Sequence, residues 1–291
     1  QQSWVLNTYN LIVFDIFASK HTIMKYSLLS LTILTLGLIS CGDDDTTPNS
    51  NNTAAYFPLS SNSSWSYTNE SEDQNSQDNM FVVGTQQENG VQYTNLDTQE
   101  LNSGGFMVAL LTQNLVRNDT GKLIVNGTFG GVPIEGFPDI SIPLNNAVLF
   151  DPNALNGTQL NIISGSFEQT IMDFPIIIEY TSITTQEQVL PSYTTDTQTY
   201  TDVIQSNIVL NLEISTEVQV GGTTLSLPIL SSQDVLVVEN YYAANIGLVF
   251  SKETVDYALE DLSGIPGLEI PLPEQNTSIS TATLTSFEIG N

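Results

Sequence analysis

The 291 residues carry 32 Asp and Glu against 5 Lys and Arg, a formal net charge of −27, and charged residues are only 13% of the whole. Nucleic acids and other polyphosphates need clustered Lys and Arg, so this balance excludes them as partners. One histidine, His21, and one cysteine, Cys41, exclude a Ser-His-Asp triad, a Cys-His pair, a histidine zinc site and a disulfide framework within the chain.

Residues 1–23 carry no turn or cap pattern and read as an upstream leader, untranslated or removed, with a start-like Met at Met24. From Met24-Lys25 a positive charge is followed by the uncharged, Leu/Ile/Ser/Thr-rich run Tyr26 to Ile39, then Leu38-Ile39-Ser40-Cys41. A short positive stretch, a short apolar stretch and a small residue before the cut describe a secretory signal over 24–40. The run is too short for a confident membrane span, which needs about 20 residues. Residues 41–54 begin Gly42-Asp43-Asp44-Asp45 and continue polar to Thr53, a composition that cannot bury enough apolar surface to order itself and reads as a tether.

Leu38-Ile39-Ser40-Cys41 resembles the lipobox of bacterial lipoproteins. The resemblance implies cleavage before Cys41 and a diacylglycerol on its thiol. Asp43, Asp44 and Asp45 directly after the cysteine resemble the surface-export signal of Bacteroidetes lipoproteins. They imply an outer-membrane protein facing the cell exterior, with the membrane and the lipoprotein processing and sorting machinery as partners. Gly42 is unlike the Asp of the inner-membrane retention signal.

Residues 55–291 show no composition break and read as one all-β domain: an antiparallel curved sheet, a sandwich or partly open barrel, with at most one short helix. Strands are expected at Ser64–Thr68, at Phe81–Val83 and Val91–Thr94 around the turn Asn89-Gly90, and at Met107–Val116 and Lys122–Val125 around Arg117–Gly121. Further strands are expected at Ile140–Ile142, Leu160–Phe167, Ile176–Thr184, Asp234–Tyr242 and Thr281–Ile289. The clearest alternation is Ile208, Leu210, Leu212, Ile214, continuing through Val218 and Val220 to Gly221-Gly222 and resuming at Leu225, Leu227 and Ile229. The two-residue turn predicts Val220 opposite Thr223, Val218 opposite Leu225 and Ile214 opposite Ile229, with Val218 and Leu225 on one buried face. Pro228 predicts an edge or an end there. The helix is expected around Lys252 to Leu262. Gly136–Leu144 and Gly264–Leu272 echo each other in sequence, as convergent strand entries or as a duplicated element lining a cleft.

Tyr56-Phe57-Pro58-Leu59 with Asn62, Trp65 and Tyr67, and the late segment Tyr242–Val249, resemble the paired motifs of many Bacteroidetes lipoproteins. The chain departs at Asn245, where Gly is usual, and at Phe250, where Lys is usual. Asn tolerates the left-handed conformation such a Gly supplies. The resemblance implies a curved antiparallel sheet, somewhat like the half-barrels of lipoprotein carriers, and no particular activity.

Candidate sites in the body are few. Asp151–Gly157 has Leu155 and Asn156 where a calcium loop needs a ligand and a Gly, so it reads as a turn; no metal or cofactor is expected. Glu179 ends an apolar run, but glycosidase chemistry needs a second facing carboxylate and no spacing singles one out. Trp65, Tyr67, Tyr241 and Tyr242 could form a ligand-stacking platform, but aromatics in strands more often pack the core, and the motif placement of Trp65 favours that reading. The expectation is a non-catalytic envelope lipoprotein whose β domain binds an unspecified ligand or partner. A half-barrel carrier of apolar cargo and a carboxylate-dependent glycan hydrolase are the alternatives.

Overall fold

The computed structural model describes residues 54–72, 75–99, 104–130, 140–171, 174–263 and 273–291. Within them lie twelve strands and one helix. The first half holds β1 (Ser64–Ser71), β2 (Asn75–Glu88), β3 (Val91–Thr98), α1 (Phe106–Thr112), β4 (Leu115–Asp119), β5 (Lys122–Gly130) and β6 (Ser141–Phe150). The second holds β7 (Thr158–Ile171), β8 (Phe174–Thr194), β9 (Thr199–Val220), β10 (Thr223–Ala243), β11 (Gly247–Ala258) and β12 (Gln275–Glu288).

All twelve form one antiparallel sheet in the order β6-β5-β4-β3-β2-β1-β12-β11-β10-β9-β8-β7. The sheet is a nearly closed barrel, in agreement with the all-β, partly open barrel expectation. Strands consecutive in the chain are neighbours except at the step from β6 to β7, and the first and last strands meet mid-sheet through β1 and β12. The two edges, β6 and β7, are also consecutive. A side chain ties them where a ladder does not, Val148 N–H donating to Asn161 Oδ1 at 2.6 Å, and the turn after β6 is held to β8, Asp151 N–H donating to Gln186 Oε1 at 3.2 Å. Near-closure leaves little unpaired edge for another chain to extend.

Period-two alternation makes the inner face. Leu210, Leu212 and Ile214 of β9 face inward with Val238 and Tyr242 of β10 and Leu284 of β12, and all are buried. The N-terminal segment then packs into this core. Phe57 stacks on Trp65 (centroids 5.1 Å, 29°), and Tyr242 lies against Phe150 at 4.6 Å. Trp65 Nε1 donates to the Ile246 carbonyl at 2.6 Å, Tyr67 OH to the Leu248 carbonyl at 3.0 Å, and Asn245 N–H to the Ala55 carbonyl at 2.9 Å. The two sequence motifs, far apart in the chain, are thus one aromatic block. Asn245 is left-handed (φ 60°), as its place in the motif required. Gly247 has φ 119°, and a Cβ there would lie 3.0 Å from Trp65 Nε1.

The Asn89-Gly90 hairpin forms as expected, Glu88 opposite Val91. So does the Gly221-Gly222 turn, with φ of 60° and 83°, Val220 opposite Thr223 and Val218 opposite Leu225. Three details of this hairpin differ from expectation. The register shifts after Pro228, so Leu230 and not Ile229 opposes Ile214. Leu225 is 43% exposed, because the hairpin tip runs past the core that buries Ile208 to Ile214. Asp234–Tyr242 is no separate strand but the second half of the 21-residue β10. Pro228 falls before Leu236, where pairing with β11 begins, so β10 has a partner strand on one side only at that point.

The helix is misplaced in the sequence reading. Lys252 to Ala258 is strand β11, with Ser251, Glu253, Val255 and Tyr257 alternating inward. The helix instead takes Phe106–Thr112 from the expected strand Met107–Val116, which survives only as Leu115 onward. Of the sequence echo, Ile140–Leu144 is described at the start of β6, whereas Gly264–Leu272 lies outside the described residues.

Candidate functional site

Helix α1 lies against the sheet with Met107, Val108, Leu110 and Leu111 buried, but its N-cap, Gly105, has no side chain to satisfy the first N–H groups. Asp78 of β2 holds that cap residue, and Gly104 before it, from across the fold. Its Oδ1 accepts from Gly104 N–H and its Oδ2 from Gly105 N–H, both at 2.9 Å, and Asn69 Nδ2 donates to Oδ2 at 2.9 Å. Asp78 is fully buried. At the other end Asn114 Nδ2 donates to the Leu110 carbonyl at 2.8 Å while its Oδ1 accepts Thr128 N–H at 2.6 Å, which fastens the helix to β5.

Fixed in this way, α1 leaves a hollow of about 140 Å³ between itself, β5 and β11. Phe106, Ala109, Leu110 and Phe129 give it an apolar side, and the two Phe rings meet edge to face at 5.2 Å. Glu253 lines the other side. Its side chain belongs to the inward row of β11 and the residue is 8% exposed. Oε2 accepts from Ser280 Oγ at 3.0 Å, the one hydrogen bond to this carboxylate among the described residues. The neighbouring inward residue, Ser251, donates to Asn240 Oδ1 at 2.9 Å.

Burial pushes the Glu253 carboxyl above its ordinary 4.5, with the Ser280 hydrogen bond pulling the other way. The folded chain therefore holds this proton more tightly than the unfolded chain. The resulting stability is complete below about pH 4.5 and is lost as pH rises through the folded-state value. Glu253→Gln should match the wild type at about pH 4 and exceed it at about pH 8 in denaturant unfolding. A variant less stable at the higher pH would contradict a buried, poorly compensated carboxylate.

The other sequence candidates fall elsewhere. Trp65, Tyr67 and Tyr242 are wholly buried in the aromatic block; burial raises the pKa of both tyrosines, Tyr67 also feeling Tyr242, Tyr200 and Asp78. Tyr241, half-buried, faces the opposite side of β10 from Tyr242. It stacks on Tyr193 (4.0 Å, 17°) beside Phe250. Burial, with Tyr241 and Glu239 adding, pushes Tyr193 up to about 12. Glu179 is exposed and sits directly opposite Glu213 on the outer face, over an open hollow. Asp151 pairs with Lys122 Nζ at 2.9 Å, and its Oδ1 accepts Asn153 N–H in the turn. Among the described residues no three His, Cys, Asp or Glu side chains are grouped to hold a metal. Cys41, Asp43, Asp44 and Asp45 lie outside the described residues. No helix among the described residues is long and apolar enough to cross a membrane. Sequence reasoning missed Glu253 and Asp78, which stand out only once β11 and α1 are placed.

No protein-family model matches the chain, and no curated protein sequence matches it. Among solved structures, it is similar to a crystal structure of a Parabacteroides distasonis ATCC 8503 protein provisionally described as a lipoprotein. The two share 11% identity and a TM-score of 0.36, over 81% of this chain and 99% of that one. A superposition that loose carries no argument about function.

Proposed function

We propose that this chain is a non-catalytic lipoprotein of the outer membrane, held by acyl chains on Cys41 and exposed at the cell surface, whose β body binds a small ligand in the hollow beside α1. The observation that carries the anchor is the ordered run Met24-Lys25, an uncharged stretch to Ile39, and Leu38-Ile39-Ser40-Cys41. Asp43, Asp44 and Asp45 support the outward orientation, since they stand beside the lipidated residue where sorting machinery can read them. The filled aromatic interior favours a binding module over a carrier. A hollow of about 140 Å³ matches a ring-sized molecule, as an engineered cavity of about 150 Å³ holds benzene, and is short of an acyl chain. Glu179 and Glu213 are solvated neighbours on one face, not carboxylates converging across a groove, which speaks against the hydrolase alternative.

The test is fractionation of cells carrying Cys41→Ala. Each buried methylene of an acyl chain contributes about 0.8 kcal/mol to membrane binding, so the variant should leave the membrane for the soluble envelope fraction. Retention in the membrane after a high-salt wash would contradict the anchor. Replacing Asp43, Asp44 and Asp45 together by Ala should protect the protein from protease added to intact cells. Equal digestion of both proteins would remove the three Asp as an export signal.

A further inference from the structure

The hollow beside α1 combines features that select for a particular ligand chemistry. An acid this buried is normally paired with a cation or coordinated to a metal, because burying an unpaired charge is costly. Glu253 has neither. The basic side chains of the described residues are engaged elsewhere: Arg117 with Asp119 at 2.7 Å, Lys122 with Asp151 at 2.9 Å, and Lys252 with Glu239 at 3.3 Å. Lys252 is adjacent in sequence, but strand alternation turns it to the other face of β11. The elements packed around Glu253 bring Ser280 from β12, the Ser251–Asn240 pair, and Gly104-Gly105. Behind those glycines Asp78 has its oxygens committed to N–H groups.

We propose that this hollow binds a small organic ammonium ion, its head on the Glu253 carboxylate and its short apolar body against Phe106 and Phe129. The proposal rests on the reading of the β body as a binding module and names the ligand class. Oε1 is the carboxylate oxygen left without a protein donor among the described residues, and Glu253 lines the space that the two rings border. An ammonium N–H to a carboxylate is a charge-assisted hydrogen bond, and aromatic faces add attraction for a cation. Glu253 is the one charged side chain lining the hollow, whereas calcium takes six to eight oxygens, usually from several carboxylates. A net charge of −27 draws cations to the protein before any contact is made.

The test titrates the full chain at pH 8 with n-butylammonium and, separately, with n-butanol, the neutral probe of nearly the same shape, following binding by calorimetry. Butylammonium should bind at least about tenfold more tightly than butanol. Glu253→Gln, which keeps the size and hydrogen-bonding capacity of the side chain, should erase that preference. Asp256→Asn, an exposed acid on the same strand, should preserve it and so separate the site from general charge. A preference that survives Glu253→Gln overturns the proposal. Equal binding of both probes also overturns it, while leaving the β body as a binder of neutral apolar molecules. If neither probe binds, the ammonium proposal and the ligand-binding reading of this hollow fall together, and the lipid anchor stands on its own fractionation experiment.

Discussion

Trp65→Ala should lower the unfolding free energy by about 3–5 kcal/mol, the range for truncating a fully buried large aromatic. Trp65 is 1% exposed, stacks on Phe57 and donates its indole N–H to Ile246, so the substitution opens a cavity and orphans a carbonyl at the same place. It also removes the indole on which the strap 54–60 and the turn between β10 and β11 meet, leaving the Asn245 N–H to Ala55 carbonyl bond to join them. Denaturant unfolding followed by tyrosine fluorescence measures the loss. Leu155→Ala, at a loop residue 67% exposed, is the matched control and should stay within about 0.5 kcal/mol. A Trp65→Ala protein as stable as that control would mean the aromatic block is not what closes this end of the barrel.

The second large effect is expected at Asp78. Replacing it by Ala leaves the buried Gly105 N–H without this acceptor and takes one of two acceptors from the Asn69 amide, which keeps Ser76; Gly104 is exposed, so its N–H turns to water. An orphaned buried donor costs about 1–3 kcal/mol, and a loss in that range follows. The loss should be local before it is global. Hydrogen exchange at Ala109, whose N–H closes the first turn of α1 onto the Gly105 carbonyl at 3.0 Å, should speed up well before exchange in β9 and β10. Because α1 is one wall of the hollow, Asp78→Ala should weaken small-molecule binding there as well. Uniform acceleration across the sheet would show that Asp78 supports the barrel and not the helix.

These residues also explain which parts of the fold were legible in the sequence. Ile208 to Ile214 alternate without interruption and end at a Gly-Gly turn, so strand, face and turn all followed from local rules. Length was harder. The 22 residues of β9 outrun the core, and nothing local marks where burial stops; Leu225 keeps the alternation and lies in solvent. Helix α1 was missed because Phe106–Leu111 is a continuous apolar run that fits a strand or a helix equally. Its deciding cap, Asp78, comes from a strand 27 residues away. β11 was missed for the opposite reason. An acid at Glu253 interrupts the apolar row Val249, Ser251, Glu253, Val255, Tyr257 and disguises its period. The residue that hid the strand is the one that makes the hollow beside α1 chemically distinctive. Trp65 and Tyr242 were visible as a motif whose placement favoured core packing, and the fold buries both.

The anchor is the claim on which location and orientation depend, and the mass of the mature N-terminus tests it most directly. Protein extracted from the membrane fraction should begin at Cys41, with the mass of the N-terminal peptide raised by a diacylglycerol on the thiol. Recovery of an unmodified peptide that runs through Ser40-Cys41-Gly42 would contradict it.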